Sequence, residues 1–286
     1  MLREETVFGP IRSRRLGNSL GINLLPTRGK ICNFDCIYCE CGWNDDGRGD
    51  SVLPTAAQVR SALEDKLCAL MVEGTQVDSI TFSGDGEPTL NPEFPRIIED
   101  TLRLRDAFCP SAKVSVLSNA TRVHRDEIFE ALRKVDNPIM KIDAPTDALA
   151  ALINRPAPGY SVAQVVEALK RFRGDFILQT MFLRAEHPEF VGGVTATASP
   201  LARIDSQGGS SFVPGLPDDS RYFFDSGAPE VIGPWMEIVR ELRPRQVQVY
   251  SIDRPTPMSG LQKYSVEQMR ELVAPLLAEG FNIQFR

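Results

Sequence analysis

Residues 32–41 read CNFDCIYCEC and hold four of the six cysteines of a 286-residue chain. Cys32, Cys36 and Cys39 are spaced C-x3-C-x2-C. A structural zinc site normally takes four ligands, often as two close pairs far apart in sequence. No second pair exists here, and the histidines are His124 and His187 alone. Cys41 would supply a fourth donor, but four donors within ten residues make a cramped zinc cage. Three thiolates on one short loop suit a [4Fe–4S] cluster, whose irons are normally held by cysteine. The iron without a thiolate would stay open to a substrate or cofactor. Zinc and a plain electron-transfer cluster are the competing readings.

The remaining sequence sets the context. The start, MLREETVFGP, is charged and lacks an apolar signal core. No apolar run approaches the ~18 residues that a membrane helix requires. Cys68 and Cys109 lie far apart in helix-like segments, unlike a secreted disulfide framework. These features lead us to expect a reducing cytoplasm and no membrane partner. A net charge of −6 disfavours a general nucleic-acid binder. Residues 1–30 nevertheless carry Arg3, Arg12, Arg14, Arg15, Arg28 and Lys30 against Glu4 and Glu5, a local excess able to face an anionic substrate.

Strand-like and helix-like segments alternate on both sides of the cysteines. Strands are expected at 19–26, 78–84, 113–119, 138–144, 176–183 and 246–252, with FNIQF (281–285) as a seventh. Between them, Thr55 with Gln58 forms a capping box, Asn91-Pro92 opens a helix, and another runs from about Asp126 to Lys134. Ser161 with Gln164, Gly233-Pro234 and Ser265 with Gln268 open three more, the last kinked at Pro275 and ended by Gly280. Six βα units predict one domain over 1–286: an α/β fold with a partial (β/α)6 barrel, a doubly wound open sheet being the alternative. Active groups in such folds gather at the carboxyl ends of the strands. Residues 185–229 break the alternation after the fifth strand. They are rich in Gly, Ser and Pro, yet contain Tyr222, Phe223 and Phe224. A solvated linker has little need of aromatics, so this insertion is expected to act as a lid over the barrel mouth.

The motif C-x3-C-x-aromatic-C directly after the first strand of an α/β chain resembles the radical S-adenosylmethionine (radical SAM) signature. FGPIRSRRLGNSLGINLLP, CNFDCIYCECG, ITFSGDGEPTL, VLSNAT, MKIDAP and INRP extend the likeness. They resemble the branch of iron–sulfur oxidoreductases similar to wyosine-base (tRNA imidazoguanosine) synthases. The resemblance implies an enzyme whose cluster, held by Cys32, Cys36 and Cys39, chelates SAM. One electron then cleaves SAM to a 5′-deoxyadenosyl radical that abstracts hydrogen from a substrate. It also implies a reductant such as flavodoxin or ferredoxin. Wyosine-base synthases need a second cluster on three earlier cysteines, and this chain has none before Cys32. The substrate is therefore left open among tRNA, a peptide and a small molecule. A non-catalytic electron-transfer protein is the alternative from another class.

The same resemblance proposes a SAM site. In SGDGEP (83–88), Gly84, Asp85 and Gly86 lead to Glu87, the candidate for the SAM amino group. Glycine there would also let backbone approach a ligand closely. Tyr38 stands where the family has an aromatic residue near adenine. Ser118 and Asn119 end the third strand, and Lys141 and Asp143 end the fourth. All four suit the SAM carboxylate and ribose hydroxyls, although Lys141 in an apolar strand could equally be held in a structural ion pair. Gln179 is a polar residue in a buried strand that could point into the barrel, and Tyr250 ends the sixth strand near the expected adenine edge. Arg14, Arg15, Arg155 and Arg254 are candidates for gripping an anionic group. Cys41 is either a thiol beside the substrate or inert.

Overall fold

The alternation read from the sequence recurs in the computed structural model, which describes residues 5–13, 17–47, 51–187 and 222–286. In chain order the elements begin with β1 (Val7–Ser13), β2 (Gly17–Ile22), α1 (Ala56–Val72), β3 (Ser79–Phe82), α2 (Phe94–Phe108) and β4 (Lys113–Ser118). Then come α3 (Asp126–Leu132), β5 (Asn137–Lys141), α4 (Asp147–Ile153), α5 (Val162–Lys170), β6 (Ile177–Met181) and β7 (Leu183–Glu186). The chain ends with β8 (Tyr222–Asp225), α6 (Pro229–Leu242), β9 (Gln246–Tyr250), β10 (Leu261–Lys263), α7 (Val266–Leu272), α8 (Ala274–Ala278) and β11 (Ile283–Phe285).

One eight-stranded sheet runs β1-β2-β3-β4-β5-β6-β9-β11. From β2 to β11 every pairing is parallel; only β1 returns antiparallel to β2. β1 and β11 do not pair with each other, so the sheet stays open, and its strands follow chain order without the reversal of a doubly wound sheet, which makes it a partial (β/α) barrel. Register assigns the two faces. Leu20, Ile80 and Val114 stand side by side, as do Met140, Leu178 and Val247, and all are fully buried. This face lies beneath the helices: Trp235 of α6 donates Nε1–H to Thr180 Oγ1 at 3.2 Å and meets Phe182 edge-on at 5.3 Å. The opposite face is polar. Ser19 and Ser79 each hydrogen-bond Thr81, at 3.0 and 3.1 Å, Asn137 donates to Ser115 at 3.0 Å, and Gln179 donates to Gln248 at 3.4 Å. Bonding between neighbouring strands, and within β3 between Ser79 and Thr81, satisfies these inward hydroxyls and amides, as burial demands.

Helix starts follow local chemistry, with some corrections. Thr55/Gln58 and Ser265/Gln268 form complete capping boxes. Asn91 does not cap directly: its Oδ1 accepts the Glu93 amide at 2.9 Å, and α2 starts at Phe94 with Pro95 in its first turn. Gly233-Pro234 does not open α6, which begins at Pro229 and carries Pro234 inside it. The helix after Asp126 stops at Leu132. Pro275 divides the last helix into α7 and α8 rather than bending one rod. Three features were not anticipated: β1, α4 and a three-stranded antiparallel sheet β10-β7-β8. That sheet takes in Tyr222, Phe223 and Phe224 as β8, with both phenylalanines buried. Most of the segment expected as a lid, residues 188–221, lies outside the described residues.

One backbone approach positions everything above the barrel. The turn SGDGEP leaves β3 and meets the cysteine loop in a two-residue parallel bridge between Ile31 and Gly86. The Ile31 amide donates to Asp85 O and the Glu87 amide to Ile31 O, both at 3.1 Å. Gly86 adopts φ +136°, and a Cβ there would fall 1.9 Å from Ile31 O. Alanine at this position should therefore cost about 2–4 kcal/mol, the sum of backbone strain and overpacking. Urea denaturation of Gly86→Ala would show this as a lowered midpoint, and a midpoint equal to wild type would contradict the clamp.

Candidate active site

The cysteine loop is seated on the carboxyl end of the barrel by backbone bonds. Asp35 N donates to Asn154 O and Ile37 N to Ile153 O, both at 2.9 Å. The loop thus satisfies carbonyls that the end of α4 cannot satisfy within the helix. Met258 N closes the other side by donating to Ile37 O at 3.3 Å.

Cys32, Cys36 and Cys39 all carry free thiols. Cys32 Sγ receives Phe34 N–H at 3.4 Å and Asn119 Nδ2 at 3.8 Å, and Cys36 Sγ receives Asn154 Nδ2 at 3.5 Å. Burial pushes the Cys32 thiol up, and it pushes Cys36 up to about 11. Cys39 moves the other way, to about 6, chiefly through a hydrogen bond from Cys41 and further through Lys30. Cys41 is correspondingly pushed up as the donor of that bond, and its sulfur also lies 3.9 Å from Gly84 O. Lys30 is buried beneath the loop. Burial opposes its charge, but Cys39, Cys32, Asp35 and Cys36 outweigh burial and raise its pKa.

This donor set fits a thiolate-ligated cluster: three free thiols, two of them met by N–H donors, with a buried cation in the same loop. Among the described residues, no three His, Cys, Asp or Glu side chains are placed to share one metal ion. A single zinc with Zn–S of about 2.3 Å requires that closeness. A cluster accepts one thiolate per iron, and its thiolates can stand further apart.

Glu87 is only 2 % exposed. Its Oε1 accepts from Thr89 N at 3.1 Å, Thr89 Oγ1 at 2.6 Å and Ser118 Oγ at 2.8 Å, and its Oε2 accepts Asn119 N at 2.7 Å. The carboxylate therefore ties the ends of β3 and β4 together, and burial, opposed by these donors, raises its pKa. The glycines also let the chain pack on itself: Gly86 admits Ile31, and a Cβ on Gly84 would sit 2.0 Å from Asn23 Oδ1. Asp85 is buried, with its amide donating to Asn23 Oδ1 at 3.1 Å and its carboxylate accepting Asn23 Nδ2 at 3.4 Å.

A second knot gathers Tyr38, Lys141, Asp143, Asn154 and Tyr250. Asp143 Oδ1 accepts Met181 N at 2.8 Å and pairs with Lys141 Nζ at 3.2 Å. Its Oδ2 accepts the Tyr38 hydroxyl and Asn154 Nδ2, the latter at 2.7 Å. Lys141 Nζ also donates to the Tyr250 hydroxyl and lies 5.1 Å and 4.7 Å from the Tyr38 and Tyr250 ring centres. Burial works against the Lys141 charge, Asp143 outweighs it, and the pKa rises. Lys141 thus has the ion pair weighed from the sequence. Lys141 and Tyr250 keep part of their surface open, whereas Asp143 is closed in.

Gln179 points into the lumen and bonds Gln248. Arg254 forms an exposed pair with Glu40 at 2.8 Å, away from these knots, and Arg155 stacks over Trp43 at 4.8 Å. Arg14 and Arg15 lie outside the described residues. Cys68 and Cys109 are half-buried. Sequence reading missed the roles of Asn154, Lys30, Thr89 and Asn33, the last donating to Thr121 Oγ1 at 2.6 Å and accepting Asn119 Nδ2 at 2.7 Å. Only the fragment INRP hinted at Asn154.

Residues 27–183, more than half of the chain, match the Radical SAM superfamily. A UPF0026 protein of Methanocaldococcus jannaschii is 31% identical over 183 residues, covering 62% of this chain and 53% of that protein. A UPF0026 protein of Synechocystis sp. is 32% identical over 184 residues, covering 62% of this chain and 64% of its own length. The aligned part thus spans between about half and two thirds of these relatives. Among solved structures, a radical SAM methyltransferase from Sphaerobacter thermophilus matches with TM-score 0.59 at 16% identity, over 94% of this chain and 65% of that one, a likeness of fold. With a partial barrel, a C-x3-C-x2-C loop on its carboxyl end and a family match over more than half of the chain, the chain belongs to the radical SAM superfamily.

Proposed function

We propose that the chain is a radical SAM enzyme that holds one [4Fe–4S] cluster on Cys32, Cys36 and Cys39 and binds S-adenosylmethionine beside it at the barrel mouth. The observation that carries this reading is the seating of three free thiols between two polar knots at the strand ends. Bound there, the cluster would offer one iron to SAM and supply the electron that cleaves the sulfonium C5′–S bond to a hydrogen-abstracting adenosyl radical.

The chain's own residues orient the ligand. Glu87 Oε2 accepts a single protein hydrogen bond and so retains capacity for the SAM ammonium, while Oε1 is committed to Thr89 and Ser118. Lys141 offers a cation, part-exposed and held by Asp143, to the SAM carboxylate. Tyr38 and Tyr250 flank it with aromatic faces suited to adenine. Ser118 and Asn119 hold the acidic turn in place, and Gln179 with Gln248 faces the lumen through which a substrate would approach. An electron carrier would have no need for Lys141 and Tyr250 at a partly open mouth, which favours the enzyme. The six free thiols accord with a reducing cytoplasm and with reduction by flavodoxin or ferredoxin. For the substrate, tRNA-base chemistry of the wyosine type, a peptide and a small molecule are separated by measuring SAM cleavage with each.

Two outcomes test this. Anaerobic reconstitution should give about four irons per chain, and the Cys32/Cys36/Cys39 triple alanine variant should hold almost none; a full complement there would refute the ligand set. Lys141→Met should keep its iron but bind SAM about 10- to 150-fold more weakly, the worth of one charge-assisted hydrogen bond. Equilibrium dialysis showing unchanged SAM affinity would remove Lys141 from the site.

A further inference from the structure

Two of the three cysteine sulfurs have a side-chain amide donor from a separate place in the fold, and a buried lysine shares the loop with them. Asn119, just past β4, directs Nδ2 at Cys32 Sγ from 3.8 Å. Asn154, which closes α4, directs Nδ2 at Cys36 Sγ from 3.5 Å. Lys30, two residues before Cys32 in the same loop, is buried there, with its Nζ 2.6 Å from Gly42 O on the far side of the cysteines.

Lys30 is the unusual member. Its side chain is 1 % exposed, and its ion pair with Asp35 is long, at 3.5 Å. Asp35 Oδ1 lies 3.5 Å away and already accepts the Asn44 amide at 2.8 Å, while the shortest bond from Lys30 Nζ goes to a neutral carbonyl, Gly42 O, at 2.6 Å. An ammonium buried in this way costs several kcal/mol unless negative charge faces it. The charge that faces it here belongs to Asp35 and, once they are deprotonated, to the cysteine sulfurs of the same loop. Asn154 is over-subscribed: its two amide hydrogens serve Cys36 Sγ, Tyr38 Oη at 2.7 Å and Asp143 Oδ2 at 2.7 Å. One side chain therefore joins a ligand sulfur to the knot that holds Lys141.

We propose that Lys30, Asn119 and Asn154 are positioning residues that set the reduction potential of the cluster held by Cys32, Cys36 and Cys39. The inference rests on the cluster reading above and adds to it which residues poise the electron. Reduction adds one electron to the cluster and raises the negative charge on its sulfurs. N–H donors and a fixed cation stabilise the reduced form more than the oxidised one, and hydrogen bonds to sulfur and local charge are recognised determinants of cluster potential. Lys30 contributes a full charge and the asparagines only dipoles, so Lys30 has the larger effect.

The test uses the full chain, reconstituted anaerobically without SAM and titrated with dithionite, following the electron paramagnetic resonance of the reduced cluster. Lys30→Met should retain its iron and sulfide but become at least tenfold harder to reduce, a fall in midpoint of about 59 mV for a one-electron couple. Asn154→Leu should shift the same way by about threefold, and Lys30→Arg, which keeps the charge, should stay within about threefold of wild type. Fully loaded Lys30→Met and Asn154→Leu proteins at the wild-type midpoint would overturn the proposal. So would loss of the cluster from both variants with circular dichroism unchanged, because the residues would then hold the loop rather than poise the electron. Should Lys30→Met fail to fold, Asn154→Leu decides by itself. Failure of the wild type to take up iron would instead refute the cluster reading, and iron analysis distinguishes the two failures.

Discussion

The contact between Ile31 and Gly86 fixes where the cysteine loop can lie. Two backbone bonds there dock the loop on the turn that leaves β3, and a side chain at Gly86 would occupy the space of Ile31 O. Because the turn continues into Glu87, the same contact fixes the carboxylate that holds Ser118 and Asn119. Asn119 in turn reaches Cys32. A single close approach of two segments thus sets one thiol, one carboxylate and the ends of two strands relative to one another. The opposite side of the loop is fixed separately by the exposed carbonyls at the end of α4, so both flanks of the thiol set are held by backbone.

The knot around Asp143 works by a different balance. Hydrogen bonds to a charged group contribute about 1.5–3 kcal/mol each, but removing a carboxylate and an ammonium from water costs several kcal/mol per ion. Asp143 and Lys141 therefore add little net stability. They restrict position: Lys141 lies between two aromatic rings, with its charge directed at the mouth. The polar lumen below follows the same logic, with serines, threonine, asparagine and glutamines satisfied by one another.

Much of this was legible in the sequence because the barrel strands are separated by turn signals and capped helices, and because their polar ends fall where such folds gather chemistry. Seven of the expected strands occupy their places. The hairpin strand β1 was missed because its Gly9-Pro10 breaks the alternation that marks a strand. Helix α4 was missed because DALAALI is too short for helical periodicity to declare itself, and with it went the significance of Asn154. Glu87 and the two glycines were placed correctly in the chain, but the protein groups they meet were not foreseen. Their partners, Ile31, Asn23, Ser118 and Asn119, are distant in sequence and become visible only when the loop is seated. Lys141 shows the converse, since the ion pair was foreseeable from a charge in an apolar strand.

The central claim is that a cluster on Cys32, Cys36 and Cys39 has an iron to which SAM binds directly. The most direct measurement is the electron paramagnetic resonance spectrum of the dithionite-reduced, reconstituted chain, recorded before and after adding SAM carrying a magnetic nucleus in its amino or carboxylate group. The account predicts a changed cluster signal and a hyperfine coupling from that nucleus, as required by ligation to the open iron. An unaltered cluster spectrum without coupling, at SAM concentrations that dialysis shows to saturate the protein, would contradict it.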